Sequence, residues 1–78
     1  MDLESRLTNV FHTVFDDDSI MLSRSLTADD VDGWDSLSHV NLLLAIELEF
    51  GIEFKQYEVQ SFNNVGELMD NIAKKAQL

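Results

Sequence analysis

Cysteine and proline are absent from this 78-residue chain, and glycine occurs only at Gly33, Gly51 and Gly66. Without cysteine there is no disulfide framework, no thiolate metal site and no thiol nucleophile from the protein itself. The scarcity of chain breakers favours helices joined by loops over a compact sheet protein. No apolar run approaches the length of a membrane span, and the N-terminus lacks the basic-then-apolar layout of a signal peptide. A soluble, cytoplasmic protein is expected. At this length the chain is one domain, residues 1–78, with a small core and marginal stability.

Positive charge is the other scarcity. Five Lys and Arg face 15 Asp and Glu, for a formal net charge of −10. Nucleic acid is not an expected partner, because its phosphates would be repelled. Nothing basic lies between Arg24 and Lys55, whereas Asp29, Asp30, Asp32, Asp35, Glu47, Glu49 and Glu53 all fall in that window. Such a field steers basic protein surfaces toward it; a solvated face that only confers solubility is the plainer reading.

What the chain does have is helical periodicity. From about Leu3 to Phe15, Leu3, Leu7, Val10, Phe11 and Val14 form one apolar stripe behind a plausible Asp2 cap. His12 falls among polar neighbours and reads as a bystander. Asp16-Asp17-Asp18-Ser19 should stop this helix, since their side chains compete with the backbone for hydrogen bonds. A connection of roughly 20 residues follows, long enough to require structure or function of its own. Ile20, Leu22, Leu26, Val31 and Trp34 are spaced to pin it down, and Thr27-Ala28-Asp29-Asp30 reads as one helical turn capped by Thr27. The string Asp30-Val31-Asp32-Gly33 evokes a calcium-binding hand, but Ala28 and His39 would then hold its first and twelfth positions, where oxygen ligands are required. That reading fails.

The second helix should run from Ser36 to about Phe50, with Asp35 as N-cap and Gly51 at the C-terminal cap. Turning its residues by about 100° each gives two apolar arcs. Leu42, Leu43, Ile46 and Phe50 form one, with His39 near its start; Leu37, Val40, Leu44 and Leu48 form the other, roughly opposite. A surface helix needs one such stripe. Either a small bundle wraps this helix on both sides, or one arc is offered to partners. Ile52 and Phe54 then alternate in an extended link, and a brief helix is expected over Lys55 to Val59 with Tyr57 or Val59 turned inward. The last helix starts at a capping-box pattern, Asn64 with Glu67, and buries Val65, Leu68, Met69, Ile72 and Ala76. The predicted fold is all-α, a four-helix bundle with a short third helix and a long loop between helices 1 and 2.

Ser36 would sit on the first turn of the second helix, where free N–H groups and the macrodipole favour a phosphate. A serine nucleophile needs an oriented base. His39 is one turn on, but its side chain diverges from Ser36 by about 60° and points toward the core arc. No carboxylate spacing singles out a metal site or an acid–base pair. Self-contained catalysis is not expected.

Asp35-Ser36-Leu37, opening the second helix of an acidic helical domain of this length, resembles the acyl carrier protein family. The likeness extends through Ser38-His39-Val40, through Ala45-Ile46-Glu47-Leu48-Glu49-Phe50-Gly51-Ile52, and to the closing Val65-Gly66-Glu67-Leu68 with Ile72. It covers essentially the whole chain. The resemblance implies a monomeric, non-catalytic carrier with 4′-phosphopantetheine esterified to Ser36 by a separate phosphopantetheinyl transferase. The thiol of that arm would hold acyl groups for partner enzymes of fatty-acid, polyketide or related biosynthesis. It also implies that Asp35 and Leu37 help form the transferase recognition site, and that Val40, Leu44 and Glu47 meet acyl-loading and acyl-transferring enzymes through their basic docking surfaces. Departures bear on subtype. Ser38, Asn41 and Leu48 stand where fatty-acid carriers often have acids, and Trp34 resembles stand-alone carriers of specialised, including aminoacyl, pathways. Leu48, sharing an arc with Leu44, is expected to make the docking face more apolar. An unmodified acidic interaction module is the alternative.

Overall fold

In a computed structural model, which describes residues 2–77, the chain forms three α-helices: α1 over Leu3–Phe15, α2 over Ser36–Phe50 and α3 over Val65–Ala76. Short 3-10 turns lie at Ala28–Asp30 and Gln56–Glu58, and no strand occurs among the described residues. The bounds of α1 and α2 are those their apolar spacing and caps predict. Asp2 accepts from the Ser5 amide at 2.8 Å, and Gly51 closes α2 at φ 66°, donating to the Glu47 carbonyl at 2.9 Å. That left-handed φ is where glycine escapes the steric penalty of a Cβ.

The expected short third helix is a single 3-10 turn. Helix nucleation fixes several residues for one hydrogen bond, and so short a segment gains too little burial to offset that. Of the two side chains open to it, Val59 packs against the core and Tyr57 faces solvent. The turn is held from outside: Glu58 accepts from the Lys55 amide at 2.7 Å and from Asn71 Nδ2 at 3.1 Å, and pairs with Lys75 Nζ at 2.8 Å.

The core is built from Leu7, Val10 and Phe11 of α1, Leu42, Leu43 and Ile46 of α2, and Val65, Leu68 and Ile72 of α3. Burying each such side chain contributes about 1.5–3 kcal/mol. The long first connection is strapped to this core. Ile20, Leu22, Leu26 and Trp34 pack on it, and Val31 is buried. His12 is no bystander, for its Nε2–H donates to the Ile20 carbonyl at 2.8 Å and ties the loop to α1. At the far side the loop serves as a cap. The amides of Val65 and Gly66, which would be unpaired at the start of α3, donate to the carbonyls of Leu26 (2.8 Å) and Arg24 (2.9 Å). A Cβ on Gly66 would stand 2.9 Å from that Arg24 oxygen, so the approach requires glycine. Arg24 then forks onto Asp70 at 3.0 and 2.8 Å. Asn64 accepts from the Glu67 amide at 2.9 Å as predicted, but Glu67 reaches back to the Asn63 amide at 3.2 Å, one residue outside the expected capping box.

The two arcs of α2 have different fates. Leu42, Leu43 and Ile46 are buried between α1 and α3. Leu37, Val40, Leu44 and Leu48 remain 74%, 45%, 54% and 87% exposed. The bundle covers one side of α2 only.

Candidate functional site

The head of α2 is shaped by a turn that only a few residue types can make. Gly33 adopts φ 86°, Trp34 donates its amide to the Val31 carbonyl at 3.2 Å, and the Asp35 amide reaches the Gly33 carbonyl at 3.1 Å. Asp35 then caps the helix reciprocally with Ser38. Its carboxylate accepts from the Ser38 amide at 2.9 Å, while the Ser38 hydroxyl accepts from the Asp35 amide at 2.8 Å and donates to the Gly33 carbonyl at 2.6 Å. The Ser38 amide holds the Asp35 carboxyl below the usual aspartate range, so it stays a charged acceptor. Ser38 is thereby consumed by the turn. Ser36, exposed at the first helical position, stands outside this network. Two serines two residues apart have opposite situations, and only one has a hydroxyl to offer.

His39 does not serve Ser36. An indole N–H can only donate, so the 3.0 Å contact from Trp34 Nε1 makes His39 Nδ1 an acceptor. The other ring nitrogen therefore carries the hydrogen and donates to the Val59 carbonyl at 2.6 Å. Both nitrogens are occupied in a half-buried site, and no base is left for a serine nucleophile. This Trp34–His39–Val59 chain was invisible in the sequence, because its members are brought together only by the fold. Among the described residues no cluster of His, Cys, Asp and Glu could hold a metal ion.

Beside Ser36 opens a cleft of about 310 Å³. Ala28, Trp34, Phe62 and Leu68 give it apolar lining, Gln60 and Asn63 supply amides, and Asp35 is its one carboxylate. A phosphate ester on Ser36 would meet the helix N-terminus, and a flexible amide-bearing arm would find both apolar and hydrogen-bonding surface beside it. The residues present fit such a group.

Of the window acids, Asp30 caps the Thr27 amide at 3.0 Å, and Glu47 accepts from the Phe54 amide at 2.7 Å, fixing the link after α2. Glu47 thus has an internal task besides the surface one expected of it. Glu49 pairs with Arg6 at 2.8 Å, and that guanidinium lies 4.4 Å over the Phe50 ring. Among the described residues Glu49 alone of the seven is paired with a cation, so the head and exposed face of α2 keep a negative surround.

A serine presented in this way is neither activated nor enclosed by its own chain. The fold and the site define a small helical carrier domain. Among solved structures the chain is similar to the holo acyl carrier protein from Geobacter metallireducens, at 47% identity and a TM-score of 0.90, covering 99% of this chain and 88% of that one. The chain belongs to the acyl carrier protein family, whose members carry groups rather than convert them. No protein-family model and no curated protein matches it. No helix among the described residues is long and apolar enough to cross a membrane.

Proposed function

We propose that this protein carries acyl groups on a 4′-phosphopantetheine arm joined to Ser36 and presents them to the enzymes of a fatty-acid, polyketide or related biosynthetic route in the cytoplasm. The observation that carries this reading is the free, exposed Ser36 hydroxyl at the head of α2, in a chain 47% identical to a holo acyl carrier protein. The arm would supply the thiol that a cysteine-free chain lacks, and with it thioester attachment.

The protein's own part is presentation. In the modification, the Ser36 oxygen bonds to the phosphorus of coenzyme A's pantetheine phosphate and gives up its proton, and the nucleotide half leaves. A separate transferase supplies the catalysis, recognising Asp35 and Leu37 beside the serine. Asp35 keeps the helix head in one geometry through Ser38, and the N-terminal dipole of α2 favours the resulting phosphodiester. Leu37, Val40, Leu44 and Leu48 form an exposed apolar strip, edged by Glu47, on which acyl-loading and acyl-transferring enzymes would dock. Basic residues around those enzymes' docking surfaces would be drawn in by the acidic window. The monomer is sufficient for all of this.

The alternative, an unmodified module that uses the same strip only for binding, is separated by intact mass. Incubation with coenzyme A and a broad-specificity phosphopantetheinyl transferase should add one arm to the wild type and none to Ser36→Ala. No addition with several transferases would overturn the carrier reading. Loading the modified protein with fatty-acyl, polyketide-type or aminoacyl donors then sorts the cargo.

A further inference from the structure

Trp34 and His39 are joined at the wall of the cleft beside Ser36, and their joint tolerates one protonation state only. We infer that His39 is a proton-sensitive latch. When neutral it ties Trp34 to the turn at Val59 and keeps the cleft beside Ser36 formed; when protonated it releases Trp34 and opens that wall. For its consequence, exposure of whatever group Ser36 carries, the inference rests on the carrier reading; the latch itself does not.

The geometry is specific. The indole and imidazole centroids are 6.0 Å apart with planes 21° from parallel, and the nitrogens are 3.0 Å apart. The rings therefore lie side by side, with the Nδ1 lone pair in plane with the indole N–H. An imidazolium has a hydrogen on both nitrogens. Two N–H groups would then face each other, so proton uptake and the indole bond exclude one another. The Val59 bond survives, because Nε2–H donates in either state. Release is thus one-sided, toward Trp34. That side chain packs edge-on to Phe11 at 5.3 Å and against Phe15 at 5.9 Å, so its displacement is felt where α1 meets the loop before Ser36.

The charge around the latch is carboxylate: Asp29, Asp30 and Asp32 lie on the loop before Trp34, with Asp30 bound to the Thr27 amide. On α2, Asp35 lies one turn earlier with its carboxylate bound to the Ser38 amide. The turn before Val59 brings Glu58, which is committed to Lys75 and the Lys55 amide. From α1 the rings of Phe11 and Phe15 pack on Trp34, and from α3 the cleft receives Leu68. His39 is the imidazole of this cleft, and a proton at Nδ1 removes the acceptor that holds the indole.

Trp34 is the only tryptophan, so its fluorescence reads the latch directly in the unmodified protein. Between about pH 8 and about pH 5, the emission should move to longer wavelength while far-UV circular dichroism stays constant. The shift should be lost in His39→Gln and kept in His12→Gln. No shift in the wild type, a shift kept in His39→Gln, or one that only follows loss of helicity would each overturn the latch. Backbone NMR gives a second reading should His39→Gln not fold. The amides of Gln60, Phe62 and Leu68 should move with pH in the wild type and much less in Trp34→Phe; equal movement in both would also overturn it. Unmodified protein is used throughout, so failure of Ser36 to accept an arm leaves these outcomes unaffected.

Discussion

The two sides of α2 carry similar side chains and do opposite things. Leu42, Leu43 and Ile46 are sealed between α1 and α3, while Leu37, Val40, Leu44 and Leu48 stand in solvent on the same helix. Hydrophobicity does not distinguish them; what distinguishes them is where the other elements can reach. α1 and α3 bring one apolar stripe each, which is enough to cover one arc. Nothing else among the described residues offers a second cover, since the turn at Gln56–Glu58 is too short and shows its Tyr57 to water. An apolar strip kept in water by a protein this small is the surface on which we propose that partner enzymes dock.

Substitution can break that contrast. Ile46→Ala should cost about 2–5 kcal/mol in chemical denaturation, whereas Leu48→Ala should stay within about 0.5 kcal/mol of wild type. Equal losses would mean that Leu48 is covered in solution. Next in size is an effect on binding. Leu48→Glu should weaken association with a cognate acyl-handling enzyme roughly tenfold, the loss of one interface anchor worth over 1 kcal/mol, with unchanged thermal stability. Unchanged affinity would remove Leu48 from the docking face. Smaller again is the cap that starts α3, the helix covering the buried arc. Asn64→Ala should cost about 1 kcal/mol, lowering Tm by about 4–8 °C; no change would mean that the loop carbonyls of Arg24 and Leu26 suffice to cap that end.

How far the sequence foretold this follows from which contacts are local. The bounds of α1 and α2, the Asp35 and Asn64 caps and the two arcs rest on residues within a few positions of one another, where helical period and capping chemistry leave a readable trace. The exposure of Ser36 follows from the same signals, and its proposed role from the likeness around Asp35-Ser36-Leu37. Contacts made across the fold left no such trace. His12 meets a carbonyl in the loop, His39 meets Trp34 and Val59, and the start of α3 is capped by backbone oxygens that no side chain announces. The brief helix expected over Lys55 to Val59 is a 3-10 turn, and the Lys75 and Asn71 contacts that hold it come from far along the chain.

That turn gives the subtlest test, because it supports the head of α2 from the side through His39. Glu58 is only 13% exposed, and Lys75, the Lys55 amide and Asn71 lower its pKa from 4.5 to about 2. A carboxyl with a depressed folded pKa stabilises the native state fully above its unfolded value, and that stability is lost as pH falls through the folded one. Glu58→Gln should therefore melt below the wild type at neutral pH, and the gap should close as pH falls from about 4.5 to about 2. A gap of the same size at both ends would assign the effect to shape rather than charge.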